Sequence, residues 1–225
     1  IDIAAAAKAA RASGALLAVD GTAAPPTTTK ALALGADVVF HSATKYLGGH
    51  SDLLGGVLSV RDTGPNSALS DHLAELRGFL GNLMTPFEAF LLVRGLRTLF
   101  VRWDRQCQTA LTLAQDLSQH PALTKVLYPG LPTHPSHAVA ERQMTRGFGG
   151  MLSILVAGDA ARAQSVAERT EVWIPATSLG GVESLIEHRK AVEGPHSIVP
   201  DTLIRLSVGL EDAADLMADL DQALA

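Results

Sequence analysis

Short, continuous apolar runs alternate with helical segments over the first ninety or so residues. That alternation restricts the chain to a layered α/β arrangement. The Ala-rich opening IDIAAAAKAARASG predicts a helix over 3–13, with Asp2 as N-cap and Gly14 as its stop. ALLAVD predicts a strand over 15–19 that ends at Asp20, and the Pro/Thr-rich GTAAPPTTT follows as a turn. TKALALG predicts a short helix, residues 36–40 a second strand, GGVLSV a third, and residues 66–80 a helix. Uninterrupted apolar strands separated by helices predict a parallel or mixed sheet covered on both faces.

The character changes further on. Residues 86–118 keep apolar residues at helical spacing behind Pro86 and predict one long helix or two joined ones. TKVLYPG, GGMLSILVAG, EVWIPA and IRLSVGL then read as strands, AARAQSVAER and DAADLMADLDQAL as helices, and the polar stretch 187–202 as a loop. This is the pattern of a smaller α+β domain. The expected division is residues 1–91 and residues 92–225.

Composition narrows the classes of function. The 225 residues are 47% apolar, enough for a substantial core, and only 18% charged, with a net charge of −5. No basic run is present, which argues against nucleic acid as a partner. Cys107 is the single cysteine, so no intrachain disulfide forms, as suits a reducing compartment. No apolar run approaches bilayer length and no signal peptide is visible, so a soluble, cytoplasmic protein without membrane partners is expected.

The chemistry gathers at two strand ends. One strand ends in Asp20, and the next runs into HSATKYLGGHSD, with Ser42, Thr44 and Lys45. Parallel strands put their carboxyl ends on one edge, where α/β sheets bind ligands. A lysine forms a Schiff base only through a neutral amine, a protonated pyridine nitrogen needs a carboxylate partner, and a phosphate needs hydroxyl and N–H donors. Those demands together are the demands of pyridoxal phosphate. The plainer alternative is a solvated loop lysine and a helix-capping aspartate.

Rival motifs are weaker. Ser42-Ala-Thr-Lys45 matches the S-x-x-K of serine acyl-transfer enzymes, but the nearest S-D-N has Leu53 in place of Asn and no K-T-G follows. The chain has no P-loop motif. A metal site from His41, His50 and Asp52 lacks ligand spacing, so no metal is expected.

VDGT, LGADVVFHSATKYLGGHSDLLGGVLS, RGLRTL, TSLGGVESLIEH and IRLSVGLED, in that order, closely resemble the Cys/Met-metabolism family of pyridoxal-phosphate enzymes. This is the group of cystathionine γ-synthase and cystathionine γ-lyase. The resemblance spans the whole chain. It implies an α/β fold-type I, aspartate-aminotransferase-like architecture, here the C-terminal part of the large cofactor domain and a small α+β C-terminal domain. It also implies roles. Lys45 matches the lysine that carries the cofactor and moves protons. Asp20 matches the pyridine-nitrogen partner and Thr22 a threonine beside the ring, while Ser42 and Thr44 match phosphate-binding hydroxyls. Arg205 matches the arginine on the substrate α-carboxylate, and Ser178 a serine near it. The implied reaction is γ-replacement or γ-elimination on cystathionine or an O-acylhomoserine in methionine and cysteine metabolism, foremost of the γ-synthase kind. The implied assembly is a homotetramer, a dimer of dimers. Cystathionine γ-lyase, O-acylhomoserine sulfhydrylase, and a catalytically incomplete fragment or structural homologue stand as alternatives.

The chain also departs from the family pattern. Gly21 and Ala23 replace the usual Asn and aromatic after VD, which is expected to enlarge or loosen the site near the cofactor. RKAVEGPHS replaces the usual H-P-A-x-M-T-H stretch, Thr177 stands where some lyases carry an acid, and Leu179 rather than Trp argues against a β-lyase. The chain opens without Met, and the resemblance places ahead of it a half-domain supplying a ring-stacking tyrosine, a phosphate loop and a Tyr/Arg pair for the neighbouring subunit. A C-terminal piece of a longer protein is therefore expected. Glu183 and His188 are expected on a helix surface, His50 and Asp52 as supports of the lysine loop, and Cys107, Trp103 and Trp173 as packing.

Overall fold

The computed structural model describes residues 1–61 and 67–225. They form two compact units, residues 1–99 with 142–145, and residues 100–141 with 146–225.

In the first unit, α1 (Ile3–Ala12) starts where the Asp2 carboxylate accepts the Ala5 N–H at 3.0 Å. This caps one of the helix's orphan donors. Arg142 pairs with the same carboxylate at 2.7 Å and helps hold its pKa low, after the Ala5 hydrogen bond. β1 (Ala18–Asp20) lies parallel to β2 (Val38–Ser42), with Asp20 opposite Phe40, and β3 (Gly56–Val60) runs antiparallel to β2. The sheet is therefore mixed. One face packs Val39 with Ile3, Ala31 and Ala36. On the other face the cross-strand pair Phe40 and Leu58 is 39% and 54% exposed.

The short helix expected in TKALALG does not form. Residues 31–35 make successive turns, with Leu34 N–H to Lys30 O at 3.1 Å and Gly35 N–H to Leu32 O at 3.2 Å. The Arg61 guanidinium takes the carbonyls of Leu32 and Ala36. The helix expected from 66 appears as α2 (Ser67–Leu80), and residue 66 lies outside the described residues. α3 (Pro86–Leu96) begins with Pro86, whose missing N–H costs nothing in a first turn.

In the second unit, α4 (Leu99–Leu117) lays Ala110, Leu113, Ala114 and Leu117 into the core. The long helical pattern is thus two helices, interrupted where Thr98 N–H bonds Gly95 O at 3.1 Å. β4 (Leu123–Leu127), α5 (His137–Gln143), β5 (Met151–Val156), α6 (Ala160–Arg169), β6 (Ile174–Pro175), β7 (Leu185–His188), α7 (Arg189–Glu193), β8 (Leu203–Ser207) and α8 (Ala213–Leu224) follow. The sheet order is β4-β5-β8-β7-β6, antiparallel except between β6 and β7. Leu152, Ile154, Ile186, Ile204 and Leu206 point to one face and pack with Val166 of α6 and Leu216 and Leu220 of α8. The alternation of a strand sends Ser153, Arg205 and Glu187 to the other face as one cross-strand row.

The polar stretch 187–202 is not simply a loop, because it contains the end of β7 and the whole of α7. His188 is a buried strand residue rather than a helix-surface one, and Glu183 lies in a bend before β7. Trp103 and Trp173 are fully buried and donate their indole N–H to Arg146 O and Leu216 O.

Candidate active site

The first unit brings Asp20, Thr22, Ser42, Thr44 and Lys45 to one sheet edge. β1 and β2 are parallel, so their carboxyl ends coincide, and Gly21 N–H extends the pairing to Phe40 O at 2.8 Å. The Asp20 carboxylate accepts Thr22 N–H at 2.9 Å, a local Asx-type turn. The Thr22 hydroxyl then accepts Ser42 N–H at 2.9 Å. One hydroxyl thus fixes the exit of β1 to the exit of β2.

After Ser42 the chain makes a π-helical turn, Ala43–Leu47, in which Lys45 departs from helical backbone angles at φ −92°, ψ −131°. Such single π turns recur at functional sites. Both ends of the turn are anchored. Ala43 N–H bonds Gly55 O at 2.8 Å, and the Thr44 hydroxyl accepts Gly55 N–H at 3.1 Å. Gly48 N–H returns to Ala43 O at 2.8 Å and Gly49 N–H to Lys45 O at 2.7 Å, while Tyr46 and Leu47 are buried. His50 supports the loop as expected, its Nδ1 lying 2.8 Å from Gly48 O, whereas Asp52 is exposed.

Two further residues shape this edge. A Cβ at Gly95 of α3 would sit 2.2 Å from Gly48 O and 2.9 Å from Leu47 O, so only glycine lets α3 lie directly on the lysine loop. The motif RGLRTL contained this residue, but spacing alone did not reveal the contact. His41 is buried beneath the strand end, and its Nε2 has no hydrogen-bond partner. Burial lowers its pKa, partly countered by the nearby Asp20 charge. A Cβ at Gly21 would meet this Nε2 at 2.7 Å. The space left by the missing side chain is filled by imidazole, so on that side Gly21 does not loosen the site.

The second unit brings Arg205 and Ser178 together. Arg205 Nη2 donates to Thr177 O at 2.7 Å and Ser178 O at 2.8 Å, and lies 2.5 Å from Glu187 Oε2. Burial lowers the guanidinium's pKa, and the Glu187 charge opposes that shift. The loop carrying Ser178 is also held by Gly180 N–H to Ser207 Oγ at 3.0 Å and by Gln106 Nε2 to Gly181 O at 2.7 Å. Glu187 was not singled out by sequence reasoning, although it stands in the IEH of a quoted motif. Cys107 is packing: it is buried, and burial pushes its thiol up to about 12.

Comparison with known proteins agrees in kind. A profile described as "Cys/Met metabolism PLP-dependent enzyme" matches residues 1–225. The cystathionine gamma-synthase of Mycobacterium tuberculosis strain H37Rv is 50% identical over 211 residues, covering 92% of this chain and 53% of that protein. The cystathionine gamma-lyase of Dictyostelium discoideum is 44% identical over 221 residues, 94% of this chain and 55% of that one. Among solved structures, metB from Corynebacterium glutamicum superposes with a TM-score of 0.92 at 44% identity, over 99% of this chain and 58% of that one. The chain thus spans about half the length of the curated relatives it matches. The chain belongs to the Cys/Met-metabolism family of PLP-dependent enzymes.

Proposed function

We propose that the protein is a pyridoxal-phosphate-dependent enzyme of trans-sulfuration, performing γ-replacement or γ-elimination on cystathionine or an O-acylated homoserine. Of these, the cystathionine γ-synthase reaction is the principal reading. The observation that carries it is the shared edge of β1 and β2, where Asp20 and the Lys45 turn are tied together through Thr22 and Ser42. The donor set fits the cofactor: a carboxylate ends one strand, hydroxyls end its neighbour, and an amine follows on the turn.

When bound, pyridoxal phosphate supplies an electron sink for negative charge at the substrate's Cα. Lys45 would hold it through Nζ and then move protons at that carbon. Asp20 would keep the pyridine nitrogen protonated, Thr22 would lie beside the ring, and Ser42 and Thr44 would donate to the phosphate. Arg205 would bind the substrate α-carboxylate, with Ser178 close by. Residues 1–91 would belong to the cofactor domain and residues 92–225 to the small domain. The assembly would be a homotetramer in the cytoplasm; among the described residues no helix is long and apolar enough to cross a membrane. A γ-lyase is the second reading, supported by the similarity to relatives that carry that name.

The test is an absorption spectrum of the intact protein with added pyridoxal phosphate, then borohydride reduction and peptide mapping. A visible band fixed on Lys45 is expected. Cystathionine formed from an O-acylhomoserine and cysteine would favour the synthase, and keto acid released from cystathionine the lyase. No band from the intact protein would overturn the reading and leave a structural homologue. A band from the intact protein but none from the 225 residues alone would mean that the site needs the rest of the protein.

A further inference from the structure

Arg205 stands in the middle of β8, and its direct cross-strand neighbour on β7 is Glu187. The Glu187 side chain is only 3% exposed, and a carboxylate so buried requires partners. It has two. Its Oε2 lies 2.5 Å from Arg205 Nη2, and its Oε1 accepts from Arg189 Nη1 at 2.9 Å. Arg189 also grips Glu193, which in turn accepts the Ser197 hydroxyl. The result is a line of alternating charge, Arg205–Glu187–Arg189–Glu193. Arg189, Glu193 and Ser197 all lie in RKAVEGPHS, the stretch where the chain departs from the family pattern.

The consequence for Arg205 is geometric. Its Nη2 donates to the carbonyls of Thr177 and Ser178 and lies in ion-pair contact with Glu187 Oε2, an oxygen that has no hydrogen-bond partner of its own. Its Nε is buried and has no hydrogen-bond partner. One nitrogen of the fork is committed to protein, and a donor is left over for something else. A guanidinium recognises a carboxylate through paired, planar contacts, so the plane in which it is held decides how well it does so.

The geometry points to Glu187 as the positioning residue of Arg205, with Arg189 as the group that keeps Glu187 in place, so that the unusual 189–197 stretch tunes the grip on the substrate carboxylate. This rests on the reading of Arg205 proposed above.

The experiment uses the intact protein loaded with cofactor. Two competitive inhibitors without a γ leaving group are compared, L-norleucine and L-norleucinamide, which differ only in the carboxylate. The readout is the ratio of their inhibition constants, alongside KM and kcat for the amino-acid substrate. Wild type should prefer norleucine, and Arg205→Lys should largely abolish the preference. Glu187→Gln should narrow it tenfold or more and raise KM more than it lowers kcat. Arg189→Ala, at a side chain 27% exposed, should narrow it two- to fivefold, and Arg189→Lys should restore it. The Arg189 pair keeps the test decisive if Glu187→Gln does not fold. Weakening of both inhibitors alike by the Glu187 and Arg189 variants, at an unchanged ratio, would reduce Glu187 to a structural part and overturn the inference. An unchanged ratio in Arg205→Lys would overturn the carboxylate role of Arg205 itself, a distinguishable failure.

Discussion

Replacing Gly95 by alanine sets two known effects against each other, and the structure decides between them. Inside a helix, Gly→Ala gains about 1 kcal/mol from backbone entropy. At Gly95 the new methyl would lie 2.2 Å from Gly48 O, 2.9 Å from the Gly48 carbonyl carbon and 2.9 Å from Leu47 O. All three are backbone atoms, so no side chain can swing away. An ordinary carbon–oxygen contact needs roughly 3.3 Å, so α3 and the loop after Lys45 must separate by about 1 Å. Forcing an extra methyl into packed structure costs about 1–3 kcal/mol, and rigid backbone on both sides puts this case at or above the upper end. The overlap wins, and the net loss should be about 2 kcal/mol.

The control is Gly78 of α2, where an added Cβ meets nothing within 4 Å. Gly78→Ala should be neutral or stabilising by up to about 1 kcal/mol. Thermal unfolding of the intact protein reads stability, and retention of visible cofactor absorbance through dialysis reads the state of the lysine loop. Gly95→Ala should melt lower by several degrees and lose cofactor faster, whereas Gly78→Ala should do neither. If the two variants behave alike, the direct contact between α3 and the lysine loop does not govern the site and the reasoning fails.

Asp219 accepts the N–H groups of Glu171, Val172 and Trp173 at 2.8–2.9 Å and Gln222 Nε2 at 3.0 Å; burial alone would raise its pKa, but these bonds together lower it. Asp219→Asn should cost about 2–3 kcal/mol, and because the folded-state pKa is depressed, the stability gap to wild type seen at neutral pH should close as pH falls below the ordinary carboxylate range; melting temperatures measured across acid pH check both the size and the sign. Thr22→Val removes the acceptor of Ser42 N–H and should weaken cofactor binding several-fold in a titration, whereas Thr22→Ser should largely preserve it. Cys107, with its thiol raised to about 12 and its Sγ accepting Gly149 N–H at 3.2 Å, should resist iodoacetamide at mildly alkaline pH until the protein is denatured, as mass spectrometry of its peptide would show.

What the sequence made legible, and what it hid, has a common physical cause. β1 and β2 were readable because their apolar runs are continuous and punctuated by Asp20, Ser42 and glycines, and the pairing that brings those ends together follows from the parallel arrangement alone. β7 was not readable, because Glu187 and His188 interrupt its apolar pattern. Their burial is made tolerable by Arg205 and by Asp201 O, groups that reach them only after β8 has paired with β7. The turns at 31–35 have a similar origin, since Arg61, from another part of the chain, binds the carbonyl of Leu32 and that of Ala36 just after them. Local pattern sees what a residue prefers and not which distant charge will meet it. A polar residue that breaks a strand pattern is costly to bury, so it persists only where something compensates for it. In this chain the pattern-breaking Glu187 lies against the arginine proposed to hold the substrate, and for that reason the position that defeated the sequence reading is the one at which to perturb the site.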